Sequence, residues 1–230
     1  MGFSQTRAFL YSEGSLTDLG SFGGTRTSAS GINDRGQIVG SSDITDEVSF
    51  GDADTHAFLY SGGTMIDLGT LGGTSSGASD INDLGQIVGG SQIAGDAAFH
   101  AFLYHDGRMM DLGTLGGTNS GASDINELGQ IVGSSQIAGN AAHHAFLYSD
   151  GTMTNLNSLI DPLSGWTISN AAAINDSGQI AANSCSISDG RNLCRALLLS
   201  PVPEPEIYLM MLVGIGLLGM KLRRRNSVQS

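Results

Sequence analysis

A nine-residue phrase recurs along this chain: Ile32-Asn33-Asp34-Arg35-Gly36-Gln37-Ile38-Val39-Gly40 returns at 81–89, at 125–133 and, in weaker form, at 174–182. A second phrase, Ala8-Phe9-Leu10-Tyr11, returns at 57, 101 and 145 and in degenerate form at 196, so that successive starts lie 49, 44, 44 and 51 residues apart. Self-similarity at a fixed period means that each copy is one structural unit, unable to bury its apolar face alone and stacked on the next. The period matches a four-stranded propeller blade of roughly 40–50 residues. Composition agrees: 34 Gly and only 4 Pro accompany regularly spaced Ser, Thr and Asn, the signature of many short strands joined by tight turns.

Within a unit, Asp80-Ile81-Asn82 and Gln86-Ile87-Val88 flank the turn Asn82-Asp83-Leu84-Gly85 and read as strands one and two. Ala101-Phe102-Leu103-Tyr104 and Met109-Met110-Asp111-Leu112 follow as strands three and four, joined through an Asp106-Gly107 hairpin turn. The Gly-rich stretch 69–77, with counterparts at 20–31 and 113–121, is expected to be the crossover between units. In Ala-Phe-Leu-Tyr both alternating faces are apolar, so both need covering, as stacked blades provide.

The expected fold is therefore all-β: a propeller-like array of about four four-stranded blades within residues 1–200, followed by a C-terminal transmembrane helix. Residues 28–69, 77–113 and 121–157 form complete units, whereas 1–20 supplies only strands three and four and 170–199 only strands one to three. Pairing of 1–20 with 170–182 would close a ring of four; otherwise the ring is incomplete.

Charge excludes one class of partner. Six basic residues face twenty acidic ones over residues 1–200, and four of the ten basic residues crowd the C-terminus. No basic stripe exists to follow a phosphate backbone, so no nucleic-acid binding is expected.

Few residues suggest chemistry. His56, His100 and His144 hold one repeat position, taken by Arg7 and Arg195 in the end units. A once-per-unit side chain bonded to a neighbouring Asp or backbone carbonyl explains them, since equivalent positions in different units are too far apart to share a metal unless they face the axis. Adjacent His143 and His144 point to opposite faces. Cys185 and Cys194 flank Asp189-Gly190 as if on facing strands, which in an oxidising compartment favours a disulfide; free thiols or a metal pair are the alternatives. The repeated acids Asp67, Asp80, Asp111 and Asp124 do not fit a calcium loop, because Leu84 stands where an oxygen ligand is needed. The acidic stretch 43–54 breaks the repeat and is a candidate cation or partner site. No nucleophile elbow, phosphate loop or paired His-Glu helix occurs, so no metal, cofactor or catalytic residue is assigned.

The recurring His-Ala-Phe phrases at 56, 100 and 144, with Asp-Leu-Gly, Leu-Gly-Gly and Ile-Asn-x-x-Gly-Gln-Ile-Val-Gly, resemble the HAF family of extracellular repeats over residues 7–199. That resemblance implies a propeller-like secreted protein with no assigned chemistry. The C-terminus resembles the PEP-CTERM sorting signal. Val202-Pro203-Glu204-Pro205 opens a linker over 201–206; an apolar run over 207–222 and a basic tail over 223–230 follow, with Lys221, Arg223, Arg224 and Arg225 as the stop. The resemblance implies processing by a membrane-embedded exosortase near Pro203–Pro205.

Physics assigns this tail a membrane role independently. Sixteen helical residues reach about 24 Å against a hydrocarbon core of about 30 Å, which suits a temporary stop better than a permanent anchor. The Arg cluster stays cytoplasmic and leaves the repeats outside. Such a route needs an N-terminal signal peptide, yet residues 1–7 show no apolar stretch, an expectation of missing upstream sequence or of a chain that is not exported. The leading functional expectation is a non-enzymatic exported protein, sorted to the envelope or released, that binds exopolysaccharide or another surface component. A glycan-processing lyase or glycosidase and a purely structural matrix protein are the alternatives.

Overall fold

The computed structural model describes residues 5–44, 54–95, 97–188 and 191–201. The chain divides into two units, Met1–Leu199 and Ser200–Ser230, and every strand among the described residues belongs to the first. A two-stranded pair, β1 (Phe9–Ser12) and β2 (Ser15–Asp18), precedes three four-stranded sheets. Sheet A comprises β3 (Thr27–Ile32), β4 (Ile38–Asp43), β5 (Thr55–Ser61) and β6 (Thr64–Asp67). Sheet B comprises β7 (Gly72–Ile81), β8 (Ile87–Ile93), β9 (Phe99–His105) and β10 (Arg108–Asp111). Sheet C comprises β11 (Gly116–Ile125), β12 (Ile131–Ile137), β13 (His143–Ser149) and β14 (Thr152–Asn155). The last, sheet D, has three strands: β15 (Thr167–Ile174), β16 (Ile180–Ser188) and β17 (Arg191–Leu199). Every sheet is an antiparallel meander hydrogen-bonded in chain order.

Local chemistry explains the turns. In the β9–β10 hairpin Asp106 and Gly107 have φ of 50° and 75°, the two left-handed residues of a type I′ turn whose twist matches the strands. The Gly-rich segments behave differently from expectation. Residues 72–77 and 116–121 form the first halves of β7 and β11 and are not free crossovers; only a short link at 68–71 and at 112–115 remains. Register shifts at Gly72/Ser76 and Gly116/Ser120 let these strands bend while keeping their pairing. Buried Ser76 and Ser120 then reach across units, accepting from the N–H groups of Ala57 and Ala101 at 2.9 Å.

Between sheets the core repeats. Val39, Ala57 and Leu68 of sheet A meet Ala78, Ile81, Ile87 and Phe102 of sheet B; Val88, Ala101 and Leu112 meet Ala122, Ile125, Ile131 and Phe146 one unit later. Sheet C meets sheet D through Val132, Ala145 and Leu156 against Ile168, Ala171, Ile174 and Ile180. Phe58, Phe102 and Phe146 are all fully buried, and each contributes about 2–3 kcal/mol. Because both faces of Ala-Phe-Leu-Tyr are covered, one strand serves two interfaces.

Of the two arrangements the counts left open, the closed ring is not formed. The first pair and sheet D remain separate sheets. β17 pairs with β16 along nine residues, from Ile180↔Leu199 to Ser188↔Arg191, and so fills the edge that β1 would need. Among the described residues the array is an open stack of sheets, each packed on the next. Among the described residues no helix is long and apolar enough to cross a membrane; the apolar segment 207–222 lies outside them.

Candidate functional site

The recurrent Asn of the phrase does two jobs. Its Oδ1 accepts the N–H groups two and four residues on, as Asn82 does from Leu84 and Gln86 at 3.1 and 3.0 Å, and this sets the turn. Its Nδ2 donates to the carbonyl of the same Asn in the next unit: Asn33 to Asn82 at 3.0 Å, Asn82 to Asn126 at 3.1 Å and Asn126 to Asn175 at 3.0 Å. A second row runs beside it. The N–H groups of Asp34, Asp83 and Glu127 donate to the carboxylates of Asp83, Glu127 and Asp176 at 2.8, 2.8 and 2.9 Å. The sequence showed these residues as turn formers; their reach into the next unit left no trace beyond the recurrence of the phrase itself.

One step upstream, Asp80 and Asp124 are brought together. The Asp80 carboxylate accepts the Ile125 N–H at 3.2 Å, and Asp124 accepts the Ile174 N–H at 2.6 Å. Burial first, and the hydrogen bond to the neighbouring Asp124 second, raise the Asp80 carboxyl to about 7, because two adjacent carboxylates cannot both ionise cheaply. The folded chain therefore holds a proton that the unfolded chain, with an ordinary Asp near about 4, releases. Stability from this pair is complete below about pH 4 and is lost as pH rises through the folded value near 7. Asp80→Asn, which keeps an acceptor for Ile125 and donates to Asp124, is expected to flatten the fall in urea midpoint between about pH 5 and pH 8. An unchanged slope would remove the pair as its cause.

The His positions bridge strands three and four. His56 and His100 place Nδ1 at 2.8 Å from Asp67 and Asp111, and His144 bonds Asn155 at 2.9 Å. Arg195 instead lies over the Trp166 ring at 5.3 Å, and Arg7 is half-buried ahead of β1. Cys185 and Cys194 are joined as a disulfide, paired directly across β16 and β17. Among the described residues no three His, Cys, Asp or Glu side chains could hold a metal ion together.

One non-repeated cleft of about 220 Å³ opens at the end of sheet A, lined by Thr6, Arg26, Thr27, Ser28, Ser41, Asp43 and Thr55. Its centre is the Arg26–Asp43 pair at 3.1 Å, with the Asp43 side chain 3% and the Arg26 side chain 62% exposed. Gln92 and Gln136 hold the Asp43 position in sheets B and C. Of the acidic stretch 43–54 only Asp43, Ile44 and Asp54 are described, and Asp43 is engaged by Arg26. Val202, Pro203, Glu204, Pro205, Lys221, Arg223, Arg224 and Arg225 lie outside the described residues.

Residues 70–198, from the end of sheet A through sheet D, match a family described as protein of unknown function (DUF3466). The chain belongs to this family. Its description carries no activity, so the match fixes kinship and leaves the chemistry to the residues. Residues 201–225 match the PEP-CTERM protein-sorting motif. This family member is thus a substrate of exosortase, exported through the membrane and sorted to the cell envelope. No curated protein matches the chain.

Proposed function

We propose that the sorted repeat domain is a non-enzymatic binding module for exopolysaccharide or another hydroxyl-rich surface component. The observation that carries this reading is where the polar side chains go. Those of the repeated phrase turn inward, onto the next unit, and even the Asp80–Asp124 pair serves backbone N–H groups. A cleft in sheet A, whose lining residues are not repeated in the other sheets, is open at its rim. There the exposed Arg26 guanidinium, which donates, and the Thr6, Ser28, Ser41 and Thr55 hydroxyls, which both donate and accept, can meet vicinal sugar hydroxyls, while the buried Asp43 carboxylate holds the guanidinium in place. Its volume is below the range of about 300–1,000 Å³ typical of drug-sized sites, which suits one ring of a longer chain. The resemblance to extracellular HAF repeats and the sorting signal support the same setting.

Retention of the purified protein on exopolysaccharide from its host tests the reading. Binding should weaken at least about tenfold in Arg26→Gln, which leaves an amide donor beside Asp43. Failure of the native protein to be retained would favour the purely structural matrix reading, and release of new sugar ends during incubation would favour the lyase or glycosidase one.

A further inference from the structure

We propose that the cleft of sheet A selects an uncharged saccharide, a neutral hexose segment, and discriminates against uronates and other anionic sugars; this rests on the binding reading above and names the ligand class within it. Sheet C shows what the scaffold does not require. There Asn119 and Gln136 hold the positions of Arg26 and Asp43, and the Asn119 Nδ2 donates to the Gln136 Oε1 at 3.0 Å. A neutral amide pair thus joins strands one and two at this level. The Arg26–Asp43 ion pair at 3.1 Å is an addition particular to sheet A, made where the cleft opens.

The pair sets the character of the cleft. The buried Asp43 carboxylate accepts from the Arg26 Nε and balances its charge. A guanidinium has four further N–H donors on its two Nη atoms, and among the described residues those of Arg26 have no partner. Four hydroxyls join them. Thr6, Ser28, Ser41 and Thr55 line the cleft, and among the described residues none of their hydroxyls is engaged by another group. The Thr27 hydroxyl, by contrast, is spent inside the protein on the Gly20 carbonyl and on Ser42. Sugar hydroxyls, which donate and accept, match such a set and bring no charge with them. A carboxylate on the same guanidinium would sit beside the Asp43 carboxylate, and two neighbouring carboxylates repel.

The field of the whole domain acts in the same direction. Arg26 is the only cation in the lining; Arg7, next to Thr6 in the chain, is not part of it. Residues 1–200 carry six basic against twenty acidic side chains, and an excess of one sign repels a polymer of the same sign while leaving a neutral one untouched.

Exopolysaccharide from the host, separated by anion exchange into a neutral and an acidic fraction and immobilised at equal sugar density, serves as the probe for the full oxidised chain. The neutral fraction is expected to retain the protein at least about tenfold more tightly than the acidic one. That retention should change by less than about twofold between about 50 mM and about 500 mM sodium chloride, because no net charge is there to be screened. Asp43→Asn keeps an acceptor for Arg26 and places an amide where Gln92 and Gln136 carry one in sheets B and C. It leaves the guanidinium unbalanced and is expected to raise retention on the acidic fraction; a far-UV spectrum matched to the native chain verifies that the variant folds. Equal retention of the native chain on both fractions, or preference for the acidic one, would overturn this inference and leave the binding reading standing. Retention on neither would overturn the binding reading and the inference with it. Unchanged selectivity in folded Asp43→Asn would remove the ion pair as the cause and so overturn the inference as well.

Discussion

Asn82→Ala is expected to destabilise the repeat domain by about 4 kcal/mol, read as a shift in urea midpoint. Asn82 is 3% exposed and sits mid-row. Its carboxamide bonds the Leu84 and Gln86 N–H groups, the Gln86 side-chain oxygen and the Asn126 carbonyl. Truncation removes all four bonds, and a group left orphaned and buried, as the Asn126 carbonyl is, costs about 1–3 kcal/mol. The row supplies its own control. Asn175 makes the same local bonds but is exposed and has no following unit among the described residues. Asn175→Ala should therefore cost markedly less, about 1–2 kcal/mol. Equal losses at the two positions would mean that the Asn acts only as a turn former and that the inter-unit bond adds nothing.

Gly89→Ala is expected to cost at least about 3 kcal/mol, as overpacking against backbone. A Cβ there would collide with the Gly77 carbonyl oxygen and come within 2.9 Å of the Phe102 ring. Gly40 and Gly133 are pinned in the same way, Gly40 also against the ring of Phe58. In sheet D the position is Ala182, and its cross-strand partner is Leu197, where sheet C pairs Gly133 with Phe146. The partner side chain there is the smaller of the two. Combining Gly89→Ala with Phe102→Leu should accordingly recover part of the loss in thermal midpoint; a double variant that is no more stable than the sum of the two single effects would assign the clash to backbone alone.

That pairing of Ala182 with Leu197 illustrates what was legible in the sequence. Strands two, three and four could be read from alternation and turn chemistry, and the unit boundaries from the spacing of Ala-Phe-Leu-Tyr, because both signals are local. The Gly-rich segments were misread as crossovers, since bulged strands that press against a neighbouring sheet need small residues as much as loops do. Ring closure was open from the counts alone. It is decided by the nine-residue pairing of β16 with β17, where sequence offered two claimants for one edge. The inter-unit ladders and the Asp80–Asp124 pair join residues 44 to 50 positions apart. A turn residue satisfied at home looks the same in sequence as one that also serves its neighbour.

The same division of labour governs function: the repeated residues hold the stack, and the tail determines where it goes. The most direct test is the intact mass of the protein recovered from its native host, compared between the parent strain and one lacking exosortase. The chain is expected to lose its C-terminus near Val202–Pro205 only when exosortase is present, with the processed form found at the envelope or outside. A full-length tail in both strains, with the protein in the cytosol, would contradict export and sorting by this signal.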